Sequence, residues 1–233
     1  MRGIKTHQSY NRKDAMKTVS LVHTERRTSS PAWTIVAVIL LALLAACSED
    51  KPTEPVKPEV KGPELVTART ALQKVYVAAR GWNQDARPYR LESSLTSDGN
   101  GHDGKSAVWR GSFASASRRS EKSYTWSGSA ADGAPSRGIN PGTEDTYSPT
   151  NSSTWVFDIA FLKIDSDQAL ATAQKHGGDK IMEKAPDTTV VYVCDWNHNT
   201  NELVWHVIYG SREAAKLTVA VNASTGEFIR VEK

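Results

Sequence analysis

The chain has 233 residues, a formal net charge of +3 and 39% hydrophobic residues. Residues 1–46 hold seven Lys or Arg against two Asp or Glu, so the remainder is mildly acidic and offers no broad basic surface for a nucleic acid. The cysteines are only Cys47 and Cys194, with no Cys-x-x-Cys and no metal-ligand spacing, so neither a disulfide framework nor a metal or other cofactor is expected.

In chain order, the first element is an apolar run from Ala32 to Ala46 behind Arg26 and Arg27. It is shorter than the ~20 residues a spanning helix needs and matches the core of a signal peptide. Met16-Lys17 offers a second start for this leader. Leu44-Ala45-Ala46-Cys47 resembles a bacterial lipobox, an aliphatic residue and two small ones ahead of the cysteine that takes a lipid. The resemblance implies that residues 1–46 are a lipoprotein signal peptide cut after Leu44, Ala45 and Ala46. Acyl chains on Cys47 then hold the protein on a membrane, each buried methylene being worth about 0.8 kcal/mol. Ser48 rather than Asp follows the cysteine, which in Gram-negative lipoprotein sorting favours the outer membrane, facing the periplasm. The expected location is therefore the bacterial cell envelope. Residues 47–63 form a tether with prolines at 52, 55, 58 and 63 and little to bury, expected to be a disordered spacer.

Residues 64–80 then show a helical pattern, with Leu65, Ala68, Leu72, Val75 and Ala79 near one face and Gly81 ending it. Strands are expected over 88–95, 106–115 and 121–126, a loop over 128–152 and a fourth strand over 153–162. Asp165-Ser166 can cap a helix through His176, stopped by Gly177-Gly178. Strands follow over 188–196, 202–209 and 216–221. Asn222-Ala223-Ser224-Thr225-Gly226 forms a turn before the last strand, 227–231.

Two sets of elements thus repeat. Ala71-Leu72 matches Ala169-Leu170, and the strand at Val108-Trp109 matches that at Val204-Trp205, with an aromatic residue four positions on in each. The second set, with Ile164-Asp165-Ser166, Val204-Trp205-His206-Val207 and the ending Val221-Asn222-Ala223-Ser224-Thr225-Gly226-Glu227, resembles a PepSY domain. The expected architecture is α+β: two tandem helix-plus-antiparallel-meander units of PepSY or cystatin-like type, 64–162 and 163–233, after the signal peptide and tether. The resemblance implies a noncatalytic module that restrains peptidases or binds envelope partners.

Candidate chemical groups are few. Asp98, Asn100 and Asp103 cluster with His102 in a Gly-rich turn, but the spacing departs from a calcium loop, and a solvated hairpin tip is expected. Asp195, Asn197 and Asn199 alternate in the matching loop of the second set. His102, Asp103, Asn197 and Asn199 are the expected partner contacts. His206 has no Ser or Asp partner at a suggestive spacing, and Cys194 in a strand-like run is expected to be a buried small hydrophobe. No catalytic residue is assigned. The expected partners are the membrane, through Cys47, and an envelope or secreted peptidase. An envelope hydrolase or lyase with an unrecognised site, and a periplasmic binder of a small ligand, stay open.

Overall fold

The computed structural model describes residues 62–232. The expected signal peptide with Leu44, Ala45 and Ala46, the expected lipidation site Cys47 and nearly all of the expected tether lie outside the described residues. Among the described residues no helix is long and apolar enough to cross a membrane.

The chain runs through β1 (Val66–Thr67), α1 (Ala68–Trp82), β2 (Arg87–Ser94), β3 (Lys105–Ser106), β4 (Val108–Ser115), β5 (Ser120–Ser127) and β6 (Gly138–Thr146). It continues through α2 (Ser166–Ala173), α3 (Asp179–Lys184), β7 (Val190–Asn197), β8 (Glu202–Gly210), β9 (Ala215–Asn222) and β10 (Phe228–Glu232). Eight strands form one antiparallel sheet in the order β10-β9-β8-β7-β2-β4-β5-β6. The fold is helix plus antiparallel sheet, and mostly sheet.

Alternation decides which face meets the helices. Trp109 and Phe113 of β4, Tyr192 and Cys194 of β7 and Trp205, Val207 and Tyr209 of β8 are essentially fully buried in one core with Ala71, Val75, Ala169 and Ala173 of the helices. Small alanines on the helices allow close approach to these aromatic residues. The opposite face carries Arg90, Glu92, Asp195 and His206.

The two halves are built alike. The Trp109 indole donates to the carbonyl of Val66 at 2.9 Å, and the Trp205 indole to the carbonyl of Ile164 at 2.9 Å, each just ahead of a helix. The Gly128 amide reaches Ala107 O at 2.8 Å, and the Ala223 amide reaches Leu203 O at 2.8 Å. The halves join where β2 pairs with β7, Leu91 opposite Cys194 and Glu92 opposite Val193. Their helix starts also meet. Thr67 makes no side-chain cap for α1; instead the Ala68 amide donates to Ser166 Oγ at 3.0 Å and the Arg69 amide to Asp165 Oδ1 at 2.9 Å. Asp165 also caps its own helix in a capping box with Gln168, so one carboxylate serves two helices.

Three expectations about elements need correction. Residues 153–162 form no strand: Asn151 and Asp158 cap two short 3₁₀ turns, Ser152–Thr154 and Ile159–Phe161, and the buried Phe157 is held by its amide on Pro88 O at 2.8 Å. The fourth strand is β6, inside the expected loop. It is an edge strand, exposed along almost its whole length, so no apolar alternation marks it, and Pro141 sits where the pairing register shifts. Finally, Gly177 at φ +115° kinks the second helix without ending the helical segment, which resumes as α3.

Candidate functional site

His206 projects from β8 on the sheet face away from the helices. Its Nδ1 lies 2.6 Å from Glu232 Oε2 and its Nε2 3.3 Å from Asp195 Oδ1. Burial alone would lower its pKa, but the two carboxylates outweigh that and raise it to about 9. The imidazolium in turn helps hold both carboxyls below their ordinary range. Arg90 bridges Glu92 at 2.8 Å and Asp195 at 3.4 Å, and Arg212 reaches Glu92 from the loop after β8 at 2.5 Å. Both ring nitrogens are engaged and the ring is charged at neutral pH, so it has no lone pair with which to act as a base. The partners were hidden from sequence spacing because Asp195 faces His206 across a strand pair and Glu232 comes from the end of the chain.

Cys194 is fully buried in the seam, and burial pushes its thiol pKa well up. It packs as the expected small hydrophobe.

The turn holding His102 and Asp103 is a strap between the halves, where a solvated tip was expected. His102 Nε2 lies 2.7 Å from Thr188 O, the Val190 amide donates to Asn100 O at 2.8 Å, and the Tyr192 hydroxyl to Gly101 O at 2.5 Å. Ser166 Oγ donates to Gly104 O at 2.6 Å. Gly104 has φ +77°, and a β-carbon there would overlap the backbone of Asp167. Asp98 accepts from Ser129 Oγ and from the Ala130 amide. Among the four expected contact residues, Asp103 keeps an exposed carboxylate, paired with Lys105 at 3.5 Å.

Asn197 and Asn199 sit at the far end of β7, in the hairpin to β8, where Asn197 Oδ1 accepts from the Asn199 amide at 3.0 Å. Eight strand residues separate this tip from the His102 strap, about 23 Å at the usual strand rise, so the four residues make no common site. The tip instead gathers side chains from the 3₁₀ turns. Trp155 lies against His198 with ring centroids 5.3 Å apart, and Phe161 against Trp196 at 5.4 Å. Trp155, Ile159 and Phe161 are 37%, 40% and 45% exposed. Trp155 and Phe161, set against His198 and Trp196, give the hairpin a partly exposed aromatic surface. Assigning 153–162 to a strand concealed it. Asn151 and Asp158, each followed two residues later by an amide that its side chain accepts, were the signal for turns.

No protein-family model matches the chain, and no curated protein matches it. Among solved structures, the fold is similar to the crystal structure of a "putative lipoprotein" from Clostridium difficile 630. The TM-score is 0.47 at 11% identity, covering 70% of this chain and 91% of that one.

Proposed function

We propose that this protein is a noncatalytic binding module of a bacterial cell envelope, held on a membrane by a lipid on Cys47, that engages a protein partner through the β7–β8 tip. The observation that carries the proposal is the pair of partly exposed aromatic side chains at this hairpin, Trp155 set against His198 and Phe161 against Trp196. Aromatic side chains with an exposed apolar face dominate the energetics of protein contacts, each supplying large area at low entropic cost. The PepSY resemblance of residues 163–233 makes an exported peptidase the expected partner and restraint of its activity the expected effect.

Two measurements on one preparation test this. The membrane-extracted protein has an intact mass beginning at Cys47 with added acyl chains; a retained leader overturns the anchor. The same protein recovers a stoichiometric partner from envelope extract, whose peptidase activity is lost in the complex. Trp155→Ala with Phe161→Ala removes that partner while the protein stays folded with a melting temperature only a few degrees lower, because neither side chain belongs to the main core although each is partly covered. A partner retained by this double variant, or none recovered with the native chain, overturns the tip assignment.

A further inference from the structure

A cavity of about 430 Å³ lies between α2, α3 and the start of β7, well away from the aromatic tip. Leu170, Met182 and Val190 give it apolar walls, and His102, Gln174 and Tyr209 add polar groups. Comparison of the two halves explains why it is there. By the helix and strand correspondences, Gln174 occupies the place of Tyr76 and Tyr209 that of Phe113. In the first half the rings of Tyr76 and Phe113 pack with centroids 6.2 Å apart. The second half has no ring at Gln174, and its helix kinks at Gly177. The space is left open, and the Tyr209 hydroxyl is buried beside it without a hydrogen-bond partner. Gly178 packs directly on that phenol, where a β-carbon would overlap it. A buried hydroxyl without a partner, on the wall of a cavity, is the mark of a group awaiting a ligand.

The charge at the mouth says which ligand. Asp179 and Glu183 line the cavity one helical turn apart on α3, and neither enters an ion pair among the described residues. Two like charges at this spacing repel unless a cation sits between them. The nearby Lys216 ammonium is committed to Thr188 Oγ1 at 2.8 Å. We propose that this cavity binds a small organic cation with an apolar body, a primary ammonium on an alkyl chain. The ammonium donates to Asp179, Glu183 and the Tyr209 oxygen, and the chain lies against Leu170, Met182 and Val190. The proposal stands independently of the protein-binding tip.

Three probes of equal length separate charge from apolar fit: hexylammonium, hexan-1-ol and hexanoate. They are titrated calorimetrically into the membrane-extracted full chain in detergent, with titrations into detergent micelles alone subtracted. Hexylammonium binds at least about tenfold more tightly than hexan-1-ol, and hexanoate binds most weakly. Asp179→Asn with Glu183→Gln brings hexylammonium down to the level of hexan-1-ol, and Tyr209→Phe weakens hexylammonium without lowering the melting temperature. Equal or tighter binding of hexan-1-ol or hexanoate overturns the cation assignment, as does an unchanged affinity in the carboxamide variant. No binding of any probe overturns the cavity as a site.

Discussion

Trp205→Ala lowers the unfolding free energy by about 3–5 kcal/mol, as truncation of a fully buried aromatic side chain does. Trp205→Phe separates the causes. It keeps most of the packing but removes the indole donor, leaving Ile164 O, the carbonyl just ahead of α2, without its side-chain donor. The acceptor is only partly buried and water can replace the donor, so the loss is about 0.5–1.5 kcal/mol, that of an ordinary hydrogen bond. Trp109→Phe removes the corresponding bond to Val66 O and costs a similar amount. Urea unfolding followed by far-UV circular dichroism measures all three. A Phe variant indistinguishable from native at either position would show that the indole nitrogens contribute nothing and that the repeated geometry is packing alone.

The second large effect is a pH dependence set by His206. Its folded pKa of about 9 lies above the ordinary histidine value, so its contribution is fully present below about pH 6.5 and disappears as pH rises through 9. A tenfold gain in proton affinity on folding is worth about 1.4 kcal/mol, so the contribution is on the order of 3 kcal/mol. Asp195 and Glu232 are shifted downward, so their contribution is present at neutral pH and is lost as pH falls through the carboxylate range. The groups facing this ring are Asp195, Glu232, Arg90 and Arg230, with Arg212 beyond Glu92. His206→Gln is therefore less stable than native by its largest margin between about pH 5 and 6.5, and the margin closes by about pH 10. A margin independent of pH between about 6 and 10 would show that the ring is neutral and acts only by shape.

The sequence disclosed the elements whose residues obey one periodicity and hid those whose residues answer to distant partners. The Ala-Leu and Val-Trp correspondences were legible because α1 and α2, and likewise β4 and β8, bury the matched alanines, leucines and tryptophans in one core. Asp165 was legible as a cap for its own helix but not for α1, since the second bond spans 96 residues. β6 was hidden because an exposed edge strand needs no alternation. Residues 153–162 read as a strand because their apolar residues pack singly: Phe157 fills the core, while Trp155 and Phe161 face solvent beside the tip. At the candidate sites, Asn197 and Asn199 lie in the hairpin that Trp155 and Phe161 pack against. Nothing in the local spacing at His102 showed that its turn is buttressed by Thr188 and Val190, residues that follow the second helix.

The seam between β2 and β7 relates the halves much as a two-fold axis relates the subunits of a homodimer. Here residues 147–165 connect the two halves covalently, so their association does not depend on protein concentration. A true homodimer must keep every residue on both sides of its axis identical, and any change appears twice. Two similar halves within one chain are free of that requirement. Tyr76 can go on filling its half while Gln174 leaves the other half open, and the sheet loses none of its pairing. The asymmetry on which a single binding cavity depends is thus a freedom that the fused architecture gives and the symmetric one would forbid.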